Sequence, residues 1–258
     1  MSLSTELRAM FNIHPEAGTA VIALAGNPNT GKSTIFNALT GLKQHTGNWP
    51  GKTVLQAQGT FHLRGQKYIL VDLPGTYSLL ANSVEEMVAR DFLCFARPDA
   101  TVVVTDATCL ERNLNLTLQV MEITNKVIVC VNLIDEAYRK NIFIDTDCLA
   151  RELGVPVVAT AARSGLGLSE LKTMIEAVAR GKIVPSPRRV VYDPDIEDAI
   201  ARVERQIPAE IRELLNTRWL ALRIIDNDVS ILENLRKYCR VSEWGVLRER
   251  YEYCPVSS

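Results

Sequence analysis

Eight residues constrain the fold of this chain more than any others. Gly26-Asn27-Pro28-Asn29-Thr30-Gly31-Lys32-Ser33 follow the apolar run Val21-Ile22-Ala23-Leu24-Ala25 and lead into residues 32–42, which carry a helical pattern. G-x-x-x-x-G-K-[ST] between a buried strand and a helix is the sequence of a phosphate-cradling loop. The glycines let backbone N–H groups turn inward, and the helix N-terminus adds positive potential. Lys32 supplies a point charge, and the Ser33 hydroxyl is placed to ligate Mg²⁺. Gly26, Thr30, Gly31, Lys32, Ser33 and Thr34 are therefore expected around the phosphates of a nucleotide.

Such a loop needs an α/β sheet behind it. From Ala20 to about Ala179 short apolar runs alternate with amphipathic stretches, as in strands joined by crossover helices. Strands are expected at 21–25, 54–63, 66–72, 100–106, 126–132 and 155–160, with helices at 32–42, 84–95, 113–124, 146–153 and 168–179. Only Arg64-Gly65 separate the second strand from the third, so those two form an antiparallel hairpin. The expectation is a six-stranded, mostly parallel sheet flanked by helices. Pro185-Ser186-Pro187 interrupts this pattern as a linker would, and places the domain boundaries at 20–182 and 186–258. Beyond it Asp193-Pro194 reads as a helix start, and apolar stripes at 196–203, 209–215, 218–226, 230–238 and 243–253 describe a small all-helical domain.

Two further strand ends carry chemistry. Asp72-Leu73-Pro74-Gly75 follows Tyr68-Ile69-Leu70-Val71, which delivers the Asp72 carboxylate to the phosphate edge as a Mg²⁺ ligand and the Gly75 N–H to a γ-phosphate. Asn132-Leu133-Ile134-Asp135 ends another strand. Asp135 there would accept from the N1–H and exocyclic amine of guanine, which adenine does not offer, turning a nucleotide site into a GTP/GDP site. The loop Thr160-Ala161-Ala162 after the last strand could bring a small-residue backbone N–H to the guanine O6.

These motifs in this order identify a Ras-like P-loop GTPase domain. Gly47-Asn48-Trp49-Pro50-Gly51-Lys52-Thr53, Asp72-Leu73-Pro74-Gly75-Thr76-Tyr77-Ser78-Leu79, Glu85-Glu86-Met87-Val88-Ala89-Arg90-Asp91 and the stretch 106–114 together resemble the cytosolic part of the bacterial ferrous iron transport protein B (FeoB) family. Arg218-Trp219-Leu220-Ala221-Leu222 fits the same family more weakly. The resemblance implies a GTPase with a helical domain that strengthens GDP binding, as a dissociation inhibitor does. A membrane-spanning Fe²⁺ permease region would follow it, at the cytoplasmic face of the bacterial inner membrane. It also implies that Thr53 contacts Mg²⁺ and senses the γ-phosphate, which with Lys32 and Gly75 completes the catalytic set. Asn29 and the carbonyls of Gly47 and Trp49 would hold an activating K⁺. Leu133 stands where many G proteins stack a lysine on the base, and Thr76 where many place a water-orienting glutamine, so hydrolysis is expected to be slow.

Composition narrows the partners. The 258 residues carry a net charge of −1, and residues from Pro185 onward hold 12 basic and 13 acidic side chains, so neither a nucleic acid nor a polybasic membrane patch is implied. A homo-oligomer is left open. Six scattered cysteines without a C-x-x-C pair fit a reduced compartment, and three histidines without metal-ligand spacing argue that iron is not bound here. The rival reading is a soluble G protein of ribosome assembly or RNA binding, which would share every nucleotide motif and differ in the segment after residue 179.

Overall fold

The computed structural model describes residues 3–41, 44–80 and 82–239, and the chain separates into two compact units, 1–189 and 190–258. In the first unit the strands are β1 (Ala20–Gly26), β2 (Gln44–Asn48), β3 (Leu55–Leu63), β4 (Gln66–Asp72), β5 (Ala100–Asp106), β6 (Val127–Asn132) and β7 (Val157–Ala159). They form one sheet in the order β2-β3-β4-β1-β5-β6-β7, parallel from β4 through β7 and antiparallel at the β2-β3-β4 edge. Every residue of β1 and β6 is buried, as central parallel strands covered on both faces must be.

The sheet has seven strands where the sequence pattern implied six. Gln44-His45-Thr46-Gly47-Asn48 has no apolar alternation. It becomes β2 only through its ladder with β3, from Gln44 opposite Gly59 to Asn48 opposite Leu55. The expected hairpin is β3–β4, closed at Leu63 opposite Gln66 with Arg64 (φ 50°) and Gly65 (φ 76°) both left-handed, the geometry of a two-residue turn matched to strand twist.

Helices cover both faces. On one, α2 (Lys32–Thr40) and α7 (Leu168–Ala179) bury Ile35, Phe36, Leu171 and Ile175 against Ile22, Leu24, Leu70 and Val102. Elsewhere α4 (Leu110–Ile123) packs on β1, β5 and β6. Helix α3 (Val84–Asp91) starts at Ser83, whose hydroxyl accepts from Glu86 N (3.1 Å), while Glu86 accepts from Asn82 N (3.0 Å), a reciprocal cap. It runs into a π-helical turn, Phe92–Ala96, with all five residues buried. Two short helices had no readable pattern: α1 (Leu3–Ala9), ahead of the sheet, and α5 (Ile134–Arg139), between β6 and α6 (Thr146–Leu153). Pro185 and Pro187 are buried, with Ser186 N donating to Gly154 O (3.0 Å) and Arg188 N to Leu153 O (2.8 Å), so this stretch is strapped onto the first unit.

The second unit contains α8 (Pro194–Glu204), α9 (Ala209–Arg212), α10 (Thr217–Ile225) and α11 (Val229–Cys239). Pro194 occupies the first turn of α8 as expected, but the Asp193 side chain makes no capping bond. Glu197 accepts from Tyr192 N (2.9 Å) instead. Arg218 grips both Glu197 oxygens at 2.7 Å and ties α10 to α8. The helix expected at 243–253 lies outside the described residues. Among the described residues no helix is long and apolar enough to cross a membrane.

Candidate functional site

The phosphate loop is built by steric necessity at its two glycines. Gly31, the residue before α2, has φ +81°, and a Cβ there would sit 2.3 Å from Asn132 Nδ2. A Cβ on Gly26 would come within 2.6 Å of Val104 O on β5. Asn29 is also left-handed (φ 66°), and the Thr30 hydroxyl closes the turn on Asn27 O (3.0 Å). Ser33 and Thr34 stand exposed in the first turn of α2, where N–H groups have no intrahelical acceptor.

Asn132 is fully buried and acts as a strut. Its Nδ2 donates to Thr30 O (2.9 Å), and its Oδ1 accepts from the Thr160 hydroxyl and from Ala162 N, both at 3.1 Å. One side chain therefore binds the phosphate loop to the loop after β7. Asn132 thereby fixes the base-side loop against the phosphate loop. Beneath it, burial pushes the Cys130 thiol up to about 12, leaving it protonated beside Thr160 Oγ1 (3.2 Å).

Asp135 sits exposed in the first turn of α5, which begins at Leu133 in a left-handed conformation (φ 62°). The Arg139 guanidinium lies 3.6 Å from its carboxylate. The loop after β7 differs from the expected donor arrangement. Thr160 N donates to Val131 O (2.8 Å), Ala161 N to Leu166 O (3.1 Å) and Ala162 N to Asn132 Oδ1. In this conformation each of these three N–H groups has an acceptor within the protein.

Lys32 reaches across to the other strand end. Its ammonium donates to the Asp72 carboxylate and to Leu73 O (2.7 Å). Burial raises the Asp72 carboxyl above its ordinary range, and the Lys32 charge and hydrogen bond pull it partly back. Gly75 lies against Pro28, where a Cβ would make contact at 3.5 Å, and Thr76 N approaches Gly26 O at 3.4 Å. Lys32, Ser33, Asp72 and Gly75 thus converge on one edge of the sheet.

Thr53, Gly47 and Trp49 do not join them. Gly47 is in the β2 ladder opposite Gln56, and the Trp49 carbonyl accepts from Lys52 N (2.9 Å). Sheet order puts β2 three strand spacings, about 14 Å, from β1. The Trp49 indole is buried against Phe11 and Phe92, and Thr53 is exposed. These partners of Trp49 and the Leu73 carbonyl under Lys32 were not legible in the sequence because each lies far along the chain from the residue it serves, whereas Arg139 stands four residues after Asp135 on the same short helix, which had no readable pattern.

With this geometry in hand, residues 20–175 match the family model described as ferrous iron transport protein B. The chain belongs to the ferrous iron transport protein B family. Residues 192–252 match the FeoB cytosolic helical domain, the module expected after the G domain. The Fe(2+) transporter FeoB of Methanocaldococcus jannaschii is 39% identical over 251 residues, covering 90% of this chain and 37% of the relative. That of Escherichia coli K12 is 38% identical over 212 residues, covering 81% of this chain and 27% of the relative. The chain thus spans well under half the length of these relatives. The crystal structure of the cytosolic domain of T. maritima FeoB in a GDP form superposes with TM-score 0.76 at 38% identity, covering 85% of this chain and 86% of that one. Its GMPPNP form gives 0.74 at 35% identity, with 93% and 88% covered.

Proposed function

We propose that this chain binds GTP and GDP and hydrolyses GTP slowly with Mg²⁺, as the regulatory region of a ferrous iron transporter whose permease region follows it at the cytoplasmic face of the cell membrane. The observation that carries the reading is the Asn132 strut. It ties Thr30 of the phosphate loop to Thr160 and Ala162, so that phosphate and base loops form one rigid rim, with Asp135 three residues further on. Support for guanine comes from Asp135, and from the relatives crystallised in GDP and GMPPNP forms. The match of residues 192–252 to a helical domain, rather than to an RNA-binding module, favours the transporter over a soluble G protein of ribosome assembly.

The donor set suits Mg²⁺. Ser33 Oγ and the Asp72 carboxylate are hard oxygen ligands on one edge, and the contact of Lys32 with Asp72 reflects how near α2 lies to the end of β4. When bound, Mg²⁺ supplies charge neutralisation between the phosphates. The chain's own residues do the rest. Lys32 exchanges Asp72 for a phosphate oxygen, which frees the carboxylate for the metal, and Gly75 offers its N–H beside Pro28 of the phosphate loop. Thr53 completes the set only once the 47–53 segment has turned inward from the sheet edge. In the present conformation Asn29, Gly47 and Trp49 do not fit a single ion, and stimulation by K⁺ belongs to the inward conformation.

Competition between fluorescent GDP and unlabelled GTP or ATP tests the base assignment, and ATP competing as well as GTP would sink it. Turnover in matched KCl and NaCl buffers with Mg²⁺ tests the ions. Equal rates would remove K⁺ and leave the GTPase.

A further inference from the structure

The residues ahead of β1 fold onto the part of the expected nucleotide machinery, the 47–53 segment, that stands two to three strands sideways from the phosphate loop. We propose that this N-terminal segment, residues 3–16, is an intramolecular clasp: by seating Trp49 between Phe11 and Phe92 it holds the 47–53 segment at the sheet edge and disfavours nucleoside triphosphate relative to diphosphate. The proposal rests on the guanine-nucleotide reading above.

The clasp has its own anchor. Arg8 donates to Ala96 O (3.1 Å) and Arg97 O (2.7 Å) and pairs with Asp99 (3.1 Å), while Leu7 and Ile13 are buried. From that anchor the Phe11 ring meets Phe92 edge-on (5.5 Å between centroids) and Trp49 edge-on (6.4 Å), and Trp49 meets Phe92 at 5.4 Å. The following backbone is bound to β3, with Gln56 Nε2 donating to Phe11 O (2.9 Å) and Gln58 Nε2 to Asn12 O (3.1 Å). These residues precede the stretch matched by the family model, 20–175.

Trp49 and Thr53 belong to one turn, closed by Trp49 N on Val54 O and Lys52 N on Trp49 O, both 2.9 Å. Because Ala57 lies opposite Asp72, the start of β3 and this turn lie at the phosphate edge, but about 10–14 Å sideways from β1. Carrying Thr53 inward therefore moves Trp49 too. The seat it leaves is imperfect: Trp49 Nε1 is buried and finds no acceptor among the described residues. A buried donor without a partner costs free energy, so apolar packing, part of it supplied by Phe11, is what keeps the indole there. A triphosphate needs Thr53 and binds only the unclasped fraction, so its apparent dissociation constant is the intrinsic one divided by that fraction. A diphosphate has no such requirement.

The test uses the full 258-residue chain with Mg²⁺, titrated with fluorescent GDP and a fluorescent non-hydrolysable GTP analogue. Phe11→Ala should tighten the analogue about fivefold or more while GDP stays within about twofold, and Phe11→Leu, which refills the seat, should return the ratio towards wild type. Arg8→Gln, which removes the guanidinium that anchors the segment, should shift the ratio in the same direction and carries the test if Phe11→Ala does not fold. An unchanged ratio in the folded variants, or equal shifts for both nucleotides, overturns the clasp while the guanine reading stands. A wild-type chain that binds neither nucleotide overturns both.

Discussion

The Asp72 carboxyl is held by the Lys32 ammonium yet raised above its ordinary value by burial, so in the folded chain its ionised form is disfavoured on balance. A carboxyl with a raised folded pKa contributes stability that is fully present below its ordinary 3.8 and is lost as pH climbs through the folded value. At neutral pH Asp72 is therefore retained at a cost in stability. Asp72→Asn should leave the melting temperature of the nucleotide-free chain equal or higher while abolishing Mg²⁺-dependent hydrolysis. A clear drop in melting temperature would mean that the Lys32 contact outweighs the cost of burying the carboxylate. Lys32→Ala removes a charge-assisted bond to the phosphates and should weaken triphosphate binding by roughly 1.5–3 kcal/mol, read by calorimetric titration. Asp135→Asn should move preference from guanine towards xanthine, whose extra carbonyl the new amide can donate to, and competition between the two nucleotides reads it directly. Lys32, Ser33, Asp72 and Asp135 were legible because their chemistry is local: each stands inside a short motif at or just beyond the end of a strand. That the Thr160, Ala161 and Ala162 N–H groups are engaged was not legible, because their acceptors come from β6 and from the loop's own closure at Leu166.

At the scale of elements, the strut and the helix ties decide which loops hold together. Asn132→Ala would strand Thr30 O, the Thr160 hydroxyl and Ala162 N in a buried setting, at a cost on the order of 3 kcal/mol, and should lower both the urea midpoint and nucleotide affinity. Asn132→Asp keeps the acceptor that serves Thr160 and Ala162 but loses the donor to Thr30 O, so it should recover only part of either. In the helical unit, the Arg218 guanidinium and the Tyr192 N–H hold the Glu197 carboxyl down to about 2. A lowered folded pKa gives stability present above the ordinary 4.5 and lost as pH falls through about 2. Acid titration followed by helical circular dichroism should show that loss, and Glu197→Gln should flatten it. Helices α6 and α7 were readable to the residue because side-chain chemistry marks their ends: Asp145 accepts from Cys148 N (2.8 Å), and Gly154 and Gly167 are left-handed. Strand β2 had no such marks. A polar edge strand exists only as the partner of β3, and its residues read equally well as loop.

For the whole molecule, the helical domain is expected to act on nucleotide release, as the family resemblance implies. Ending the chain after Arg189 keeps the Pro185–Pro187 strap, whose Ser186 and Arg188 bonds belong to the first unit, and the G domain of a M. jannaschii relative was solved by itself. The shortened chain should bind GDP with an affinity altered by about 1–3 kcal/mol, and identical calorimetric titrations of both forms would reduce the domain to a spacer. The sequence by itself determined the α/β architecture, the phosphate loop, the carboxylate strand ends and the family, since each is written in local periodicity or in residue types at fixed spacing. Only the tertiary structure decided that Asn132 braces the phosphate loop against the loop after β7, that Lys32 rests on Asp72, and that Trp49 is packed under Phe11 at the sheet edge. Those contacts join residues from 28 to 102 positions apart, and no local pattern encodes which distant partner a buried side chain will meet once the layers close.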